Sequence, residues 1–288
     1  MKIKKWIDFL LYSNIFISVC AAGLTAETYR FVHSQINLGY IVFVFASTLA
    51  LYNFPVFIQT NFSPEQSERH MWVFENKKML IVLFVLAVIA SGIFVFFFSL
   101  KFILCFVPVA GTAFAYFLPL HLRSITGLKA GIVALVWTCV TVVFPLLLIF
   151  DFNLADTFSN ENSVLLLQNF LFIFPLCLIF NVRDIEADRQ TGLKTLPVIY
   201  GTRATIVICL IFFVFFSMLV ALSSSLREDR GVLLISATAT AALILFASEK
   251  RSEYYYSLWV DGMILLQVGL VVGIKFFPKF FLSQLGTF

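Results

Sequence analysis

A long apolar run ends at Asn181-Val-Arg-Asp-Ile-Glu-Ala-Asp-Arg-Gln-Thr-Gly-Leu-Lys-Thr-Leu-Pro197, a segment rich in charge. Elsewhere charge is scarce, because 61% of the residues in the chain are hydrophobic and only 12% are charged. A soluble domain does not need that much apolar surface. The run before the segment, residues 163–182, approaches the roughly 20 apolar residues that a helix needs to cross the hydrocarbon layer. The sequence therefore predicts an all-α membrane protein with this segment at a membrane surface.

Apolar runs separated by charged clusters divide the whole chain. They predict nine transmembrane helices in a single domain, residues 1–288, although merging the third and fourth runs gives eight. The nine runs are residues 7–26, 36–58, 79–99, 102–120, 129–150, 163–182, 203–224, 231–248 and 255–276.

Positive charge is unevenly distributed between the connecting segments. If the amino terminus is cytoplasmic, fourteen of the twenty Lys and Arg residues fall in cytoplasmic segments. The loop that contains Asp151, Asp156 and Glu161 has no Lys or Arg. Because cytoplasmic loops retain positive charge, this distribution predicts a cytoplasmic amino terminus and an external carboxyl terminus. The membrane is expected to be of the bacterial inner (plasma) type.

The formal net charge of +4 comes from these loop residues and does not indicate nucleic-acid binding. All five Cys residues lie in apolar runs, without Cys-x-x-Cys spacing and without a nearby His. We therefore expect no zinc or haem site. No pattern indicates an oligomeric state.

The acidic residues of the opening segment have a regular spacing. Asn181, Asp184 and Asp188 follow an i, i+3, i+7 pattern, which predicts that they share one face of a helix leaving the membrane. Mg²⁺ prefers oxygen ligands, typically one or two carboxylates completed by substrate phosphates. The row therefore predicts a site for metal and diphosphate together. Arg183 and Arg189 flank the acids and either contact phosphate or neutralise the aspartates, and Lys194 follows within reach of anionic oxygens. A solvated salt-bridge cluster remains the alternative.

The stretch from Arg183 to Val198 resembles the second aspartate-rich motif of the UbiA superfamily of intramembrane prenyltransferases. The matching residues are Arg-Asp-Ile-Glu-Ala-Asp and, after two intervening residues, Thr-Gly-Leu-Lys-Thr-Leu-Pro-Val. They are closest to the menaquinone-type branch, which acts in quinone biosynthesis. The resemblance implies nine helices around a central cavity that cytoplasmic loops cap. It also implies Mg²⁺-dependent transfer of a prenyl group from an isoprenyl diphosphate to a lipid or aromatic acceptor, with Asp184 and Asp188 as catalytic metal ligands.

Further site residues follow from the resemblance or from the cost of charge in lipid. The resemblance implies that Asn53, Arg123 and Lys194 bind diphosphate. Asp261 lies inside the ninth run, where a carboxylate is costly, so we expect it to face the interior of the bundle. The additional candidates are Asn181, Arg183, Arg69, Lys77 and Asp261.

The first aspartate-rich motif of the family is incomplete. That motif begins with Asn and places aspartates four and eight residues later, whereas Asn53 is followed at those positions by Phe57 and Asn61. Half of the acidic metal site is therefore missing. We expect one Mg²⁺, with nearby cations such as Arg69 and Lys77 balancing the rest of the diphosphate charge.

Two other functions remain open. A degenerate family member would bind an isoprenoid or a lipid without chemistry, and the incomplete first motif favours this alternative. A transporter would use Asp261 and Asn14 as an ion path, although no paired broken helices or inverted repeat indicates one.

Overall fold

The structure is a computed structural model that describes residues 2–58, 68–117 and 128–285, with side chains for 3–56, 68–115 and 129–273. Every regular element in these ranges is helical. Two of the helical segments are π-helical turns, Cys139–Val143 and Tyr255–Val260, and the others are α-helices. The helices are α1 (Lys2–Tyr12), α2 (Ile15–Phe31), α3 (Leu38–Ile58), α4 (Glu68–Glu75), α5 (Lys77–Val95), α6 (Leu100–Phe117), α7 (Leu128–Thr138), α8 (Phe144–Ile149), α9 (Leu154–Thr157), α10 (Asn160–Arg183), α11 (Ile185–Gln190), α12 (Leu196–Leu222), α13 (Arg230–Leu245) and α14 (Asp261–Leu285).

The all-α prediction is confirmed, whereas the count of nine membrane crossings is not. A helix lies at each predicted position, and six helical stretches of the described chain are long and apolar enough to cross a membrane. There are seven if α1 and α2, which meet at an angle of 63°, form one bent span. Two further stretches of the described chain, Leu100–Ala115 in α6 and Arg230–Leu245, are apolar but shorter than these six.

Helix α10 packs mainly against α12 and α7. Phe172, Leu178 and Ile179 on α10 are fully buried. Lipid tails are as apolar as these side chains, so the gain on helix association comes mainly from close packing rather than from leaving water. Because α10 is held on several sides, its end at Arg183 has a defined position in the bundle.

The chain turns at Asp184, directly after α10. Asp184 has φ −89° and ψ 6°, and α11 begins at the next residue. The prediction that Asn181, Asp184 and Asp188 share one helical face is therefore wrong, because the helix does not continue through Asp184. Asp184 lies at the turn, whereas Asp188 lies on α11.

Gly192 ends α11. Its φ of +72° is a left-handed conformation that glycine adopts without a steric penalty. The N–H of Leu193 donates to the carbonyl of Asp188 at 2.8 Å, and the N–H of Gly192 donates to the carbonyl of Arg189 at 3.2 Å. These two bonds form a Schellman cap, which returns the chain toward α12 and fixes the short α11 beside α10.

Candidate active site

A cavity of about 520 Å³ lies between α2, α3, α7, α10 and α14. Its body is lined by apolar and aromatic side chains, and charged groups of both signs gather in its wall. The acidic and basic residues that line it are Arg69, His70, Lys129, Arg183, Asp184, Glu253 and Asp261. Such a cavity has one region suited to a charged group and another suited to a hydrocarbon.

Arg183 and Asp184 form a two-point ion pair in this wall. The Arg183 Nε donates to Asp184 Oδ1 at 2.7 Å, and Nη2 donates to Oδ2 at 3.3 Å. Arg183 Nη1 also donates to Glu253 at 3.5 Å, and its guanidinium carbon lies 4.9 Å from the Phe180 ring centroid. Burial raises the pKa of Asp184, but the neighbouring Arg183 outweighs it, so this pKa lies below its ordinary value. Asp184 is therefore ionised near neutral pH.

Asp188 lies behind the cavity wall rather than in it. Its Oδ1 is 3.3 Å from the Nζ of Lys129, which lines the cavity, and the two side chains are only 6% and 14% exposed. Its Oδ2 is buried and has no hydrogen-bond partner among the described residues. Leaving such an oxygen unsatisfied costs about 1–3 kcal/mol, so the position favours an additional cation or donor.

Asn53 also lies outside the cavity wall and is fully buried. Its Nδ2 donates to the carbonyls of Ser13 at 3.0 Å and Leu49 at 2.9 Å. Its Oδ1 accepts from Asn14 Nδ2 at 3.1 Å, and the Oδ1 of Asn14 accepts from Arg69 at 3.3 Å. Asn53 thus reaches the site through Asn14 and Arg69, which both line the cavity.

Asn14 owes its position to the break between α1 and α2. It adopts a left-handed conformation with φ 64°, which Asn tolerates better than most residues. The turn places its side chain between α3 and the start of α4. A break in an apolar helix is therefore what brings a polar side chain to this cavity.

Arg69 and Arg183 crowd positive charge into one part of the site, beside His70. Burial lowers the pKa of Arg69, and the charge of Arg183 lowers it further. Burial and the adjacent Arg69 likewise lower the pKa of His70. A bound polyanion would relieve this repulsion, so the region is arranged for a negatively charged group.

Four other predicted residues separate into two groups. Asn181 and Asp261 line the cavity, so Asp261 faces the bundle interior as expected, and Asn181 Nδ2 is buried without a partner among the described residues. Lys194 is exposed and Lys77 is half-buried, and neither lines the cavity.

Three positions discussed above lie outside the described side chains, namely Arg123, Phe57 and Asn61. Conversely, Lys129 and Glu253 line the cavity but are not among the site residues that the sequence predicts. The sequence feature that could have identified them is their position, since each carries charge at the predicted cytoplasmic start of an apolar run.

The cavity offers few side chains that could bind a metal ion. Among the described residues, no three His, Cys, Asp or Glu side chains cluster closely enough to hold a metal ion. Asp184 presents its carboxylate in the cavity, Asn181 lies beside it, and the free Oδ2 of Asp188 is nearby in the chain. One Mg²⁺ fits these groups if phosphate oxygens complete its coordination.

A sequence model of the UbiA prenyltransferase family matches residues 73–257. The matched range contains Lys129 and the whole of α11, and it begins after Asn53. No curated protein sequence matches the chain.

Solved structures with a similar fold extend over nearly the whole chain. A UbiA homolog from Archaeoglobus fulgidus bound to GPP and Mg²⁺ is 11% identical, with a TM-score of 0.59 over 91% of this chain and 99% of that one. A UbiA homolog from Aeropyrum pernix K1 is 15% identical, with a TM-score of 0.56 over 95% and 98%. A digeranylgeranylglyceryl phosphate synthase is 14% identical, with a TM-score of 0.51 over 93% and 96%.

Because these structures are only 11–15% identical to the chain, their similarity shows a shared fold and nothing more. The family match is independent of it and spans more than half of the sequence. The chain therefore belongs to the UbiA prenyltransferase family and is an integral membrane protein.

Proposed function

We propose that this protein transfers a prenyl group from an isoprenyl diphosphate to a lipid or aromatic acceptor within the membrane, with Mg²⁺ as cofactor. The observation that carries the proposal is one cavity in which Arg69, Lys129 and Arg183 lie together with Asp184, next to an apolar body. A prenyl diphosphate is divided in the same way, into an anionic head and a hydrocarbon tail. The structure of a UbiA homolog bound to GPP and Mg²⁺ supports this assignment.

Asp184 is the proposed principal Mg²⁺ ligand, with Asp188 as the second acid and Asn181 as a neighbouring donor. The ionised state of Asp184 and the unpartnered Oδ2 of Asp188 support these roles. When bound, Mg²⁺ supplies Lewis-acid stabilisation of the departing diphosphate.

Fixed cations take the place of the missing first acidic motif. Arg69 and Lys129 point into the cavity from two sides, and each is positioned by a partner, Asn14 and Asp188 respectively. Charge-assisted hydrogen bonds from such groups stabilise negative charge that develops on phosphate oxygens. The proposed additional diphosphate contacts are Arg123, Lys194 and Lys77, together with Asn53, which acts through Asn14.

Transfer begins with cleavage of the bond between the allylic carbon and the diphosphate oxygen, and the electron pair leaves with the diphosphate. The acceptor donates an electron pair to the allylic carbon and then loses a proton. Tyr52, Trp137 and Phe180 line the cavity and offer ring faces that stabilise positive charge on the allylic group. The apolar walls keep water from capturing that cation.

We also propose that the chain forms one domain with nine crossings and a cytoplasmic amino terminus, in a membrane of the bacterial plasma type. The contact between Lys4 and Glu68 at 3.4 Å supports the placement of the amino terminus beside α4, near the charged part of the cavity. The excess of Lys and Arg in the same segments supports the cytoplasmic side.

Binding of an isoprenoid without chemistry is the second candidate. It is favoured by the ion pair between Arg183 and Asp184, because that pair occupies the carboxylate that would hold Mg²⁺. Both candidates bind a prenyl diphosphate, but only the first converts it to a product.

The test uses purified full-length protein in lipid nanodiscs with labelled geranylgeranyl diphosphate, Mg²⁺ and either membrane lipid extract or aromatic acids as acceptors. We expect a labelled lipid-soluble product and an equal amount of released diphosphate. Saturable binding without product would support the second candidate, whereas the absence of prenyl diphosphate binding would contradict both.

A further inference from the structure

Asp261 is a carboxylate in the wall of the active-site cavity that the proposed reaction leaves unused. It lies eight residues after Glu253, which corresponds to about 10 Å along the helix axis, and inside the ninth apolar run. A charged side chain within such a run is costly unless it has a partner or a ligand. Its position in the cavity wall therefore indicates one or the other.

The carboxylate of Asp261 has no hydrogen-bond partner in the described part of the chain. Arg69 and Arg183 are near enough to interact with it electrostatically, but neither donates a hydrogen bond to it. Arg69 donates to Asn14, and Arg183 donates to Asp184. The oxygens of Asp261 therefore remain available to a ligand in the cavity.

Ser257 lies four residues before Asp261 and lines the same cavity. It is 8% exposed, and its hydroxyl also lacks a hydrogen-bond partner among the described residues. Many hydroxyls in the described helices instead donate to the carbonyl four residues earlier, as Thr141 does to Trp137 at 2.9 Å. An unused hydroxyl beside an unused carboxylate offers a ligand both a hydrogen-bond donor and acceptors.

The backbone of this pair is held in place by its surroundings. Cys20 on α2 donates from its Sγ to the carbonyl of Asp261 at 3.5 Å. The π-helical turn Tyr255–Val260 contains Ser257 and ends directly before Asp261. Turns of this type occur frequently at functional sites. The two side chains thus form a preformed polar position in the cavity wall.

The charge of Asp261 discriminates between ligands. In the proposed complex the cations of the cavity face the diphosphate, which is itself strongly negative. A second ligand that binds beside it meets the negative potential of both the diphosphate and the carboxylate. An anionic ligand is repelled by both, whereas a neutral hydroxyl group donates a hydrogen bond to Asp261 and accepts one from Ser257.

We propose that Asp261 and Ser257 bind the acceptor, and that they select a neutral acceptor with a hydroxyl group over one with a carboxylate or a phosphate. This inference rests on the proposed function, which leaves the acceptor as a lipid or an aromatic compound. Asp261 accepts a hydrogen bond from the acceptor hydroxyl, and Ser257 donates one to the same group. Neither residue contacts Mg²⁺ or the diphosphate in this arrangement.

Matched pairs of acceptors test the selection. A naphthalenediol is paired with the corresponding dihydroxynaphthoate, and a glycerol monoether with its phosphate, so the members of each pair differ by one anionic group. Full-length protein in lipid nanodiscs receives labelled geranylgeranyl diphosphate, Mg²⁺ and one acceptor. We expect kcat/KM for the neutral member to exceed that for its anionic match by about tenfold or more, the scale of repulsion between nearby charges in a protein. The pair that reacts distinguishes an aromatic from a lipid acceptor.

Two variants separate acceptor binding from diphosphate binding. Asp261→Asn keeps an oxygen acceptor and removes the charge, so the discrimination within a pair should fall to about threefold or less. The KM for geranylgeranyl diphosphate should not rise, because the nearby cations lose a counter-charge. Ser257→Ala should raise the KM for the neutral acceptor about three- to tenfold, with the KM for the diphosphate within about twofold of the wild type. Glu249→Gln removes an exposed carboxylate outside the cavity and is the matched control for charge.

Equal or reversed use of the two members of a pair by the wild type would overturn the inference, as would transfer to none of the neutral acceptors by protein that binds the diphosphate. If Asp261→Asn changed only the KM for the diphosphate, Asp261 would be a counter-charge for the arginines, which also overturns it. Should Asp261→Asn fail to fold, Ser257→Ala decides, since an unchanged acceptor KM excludes the proposed contact. Failure of the wild type to bind geranylgeranyl diphosphate would instead contradict the proposed function itself.

Discussion

Asn14 donates a hydrogen bond from its Nδ2 to the Oδ1 of Asn53 at 3.1 Å, and through it the buried Asn53 is connected to the cavity. Asn53 is the remaining residue of the incomplete first acidic motif, yet its side chain is already hydrogen-bonded to two backbone carbonyls and to Asn14. Its contribution is therefore to hold the break between α1 and α2, which in turn orients Arg69.

Replacing Asn53 with Ala should act through Arg69. Because Asn14 loses its partner, we expect both Asn53→Ala and Asn14→Ala to raise the KM for prenyl diphosphate about tenfold, the scale for loss of a supporting hydrogen bond at a site. Steady-state kinetics at saturating Mg²⁺ measure this. If Asn53→Ala lowered kcat with KM unchanged, a direct role in the chemical step would replace the supporting one.

The contact between Lys129 and Asp188 should appear as coupling in a double-mutant cycle. Either Lys129→Ala or Asp188→Ala leaves one largely buried charge without its partner. The double variant should therefore lose less stability than the sum of the losses in the two single variants. We expect a coupling free energy of about 1–3 kcal/mol from unfolding in detergent. Additive effects would show that the pair is not formed.

Arg30 and Asp229 should stabilise the opposite end of the bundle from the active site. Arg30 donates to both carboxylate oxygens, at 3.1 and 2.6 Å, and this joins α2 to the start of α13. Arg30→Ala should lower the free energy of unfolding by about 3–5 kcal/mol, because Asp229 would remain buried and unpaired. Thermal unfolding in detergent measures the loss. Arg227→Ala, at an exposed position, is the control and should unfold like the wild type.

Charge in an apolar chain is the part of the site that could be predicted from the sequence. Arg183 and Asp184 stand out as charges directly after an apolar run, and Asp261 as a carboxylate that is costly in lipid. Arg69 stands out as a cation in the loop that lacks the expected acids. All four line one cavity. The helical runs were equally readable, since hydrophobic length alone places them.

Relationships across the bundle could not be read in this way. The partner of Asp188 is Lys129, 59 positions earlier, and the two meet only because α7 packs against α10. The pattern from Asn181 to Asp188 also failed as a single helical face, since a turn at Asp184 interrupts the period on which the prediction depends. Periodicity describes a helix but does not show where it ends.

Release of diphosphate from a prenyl diphosphate tests the central claim most directly, with the wild type, Asp184→Asn and Glu186→Gln compared at saturating Mg²⁺. Glu186 is the matched control, because it lies in the same segment but its side chain is 66% exposed and pairs with Arg189. We expect Asp184→Asn to lower the rate by about 100-fold or more, while Glu186→Gln stays within about twofold of the wild type. If folded Asp184→Asn protein bound the substrate and released diphosphate at the wild-type rate, the account would be contradicted.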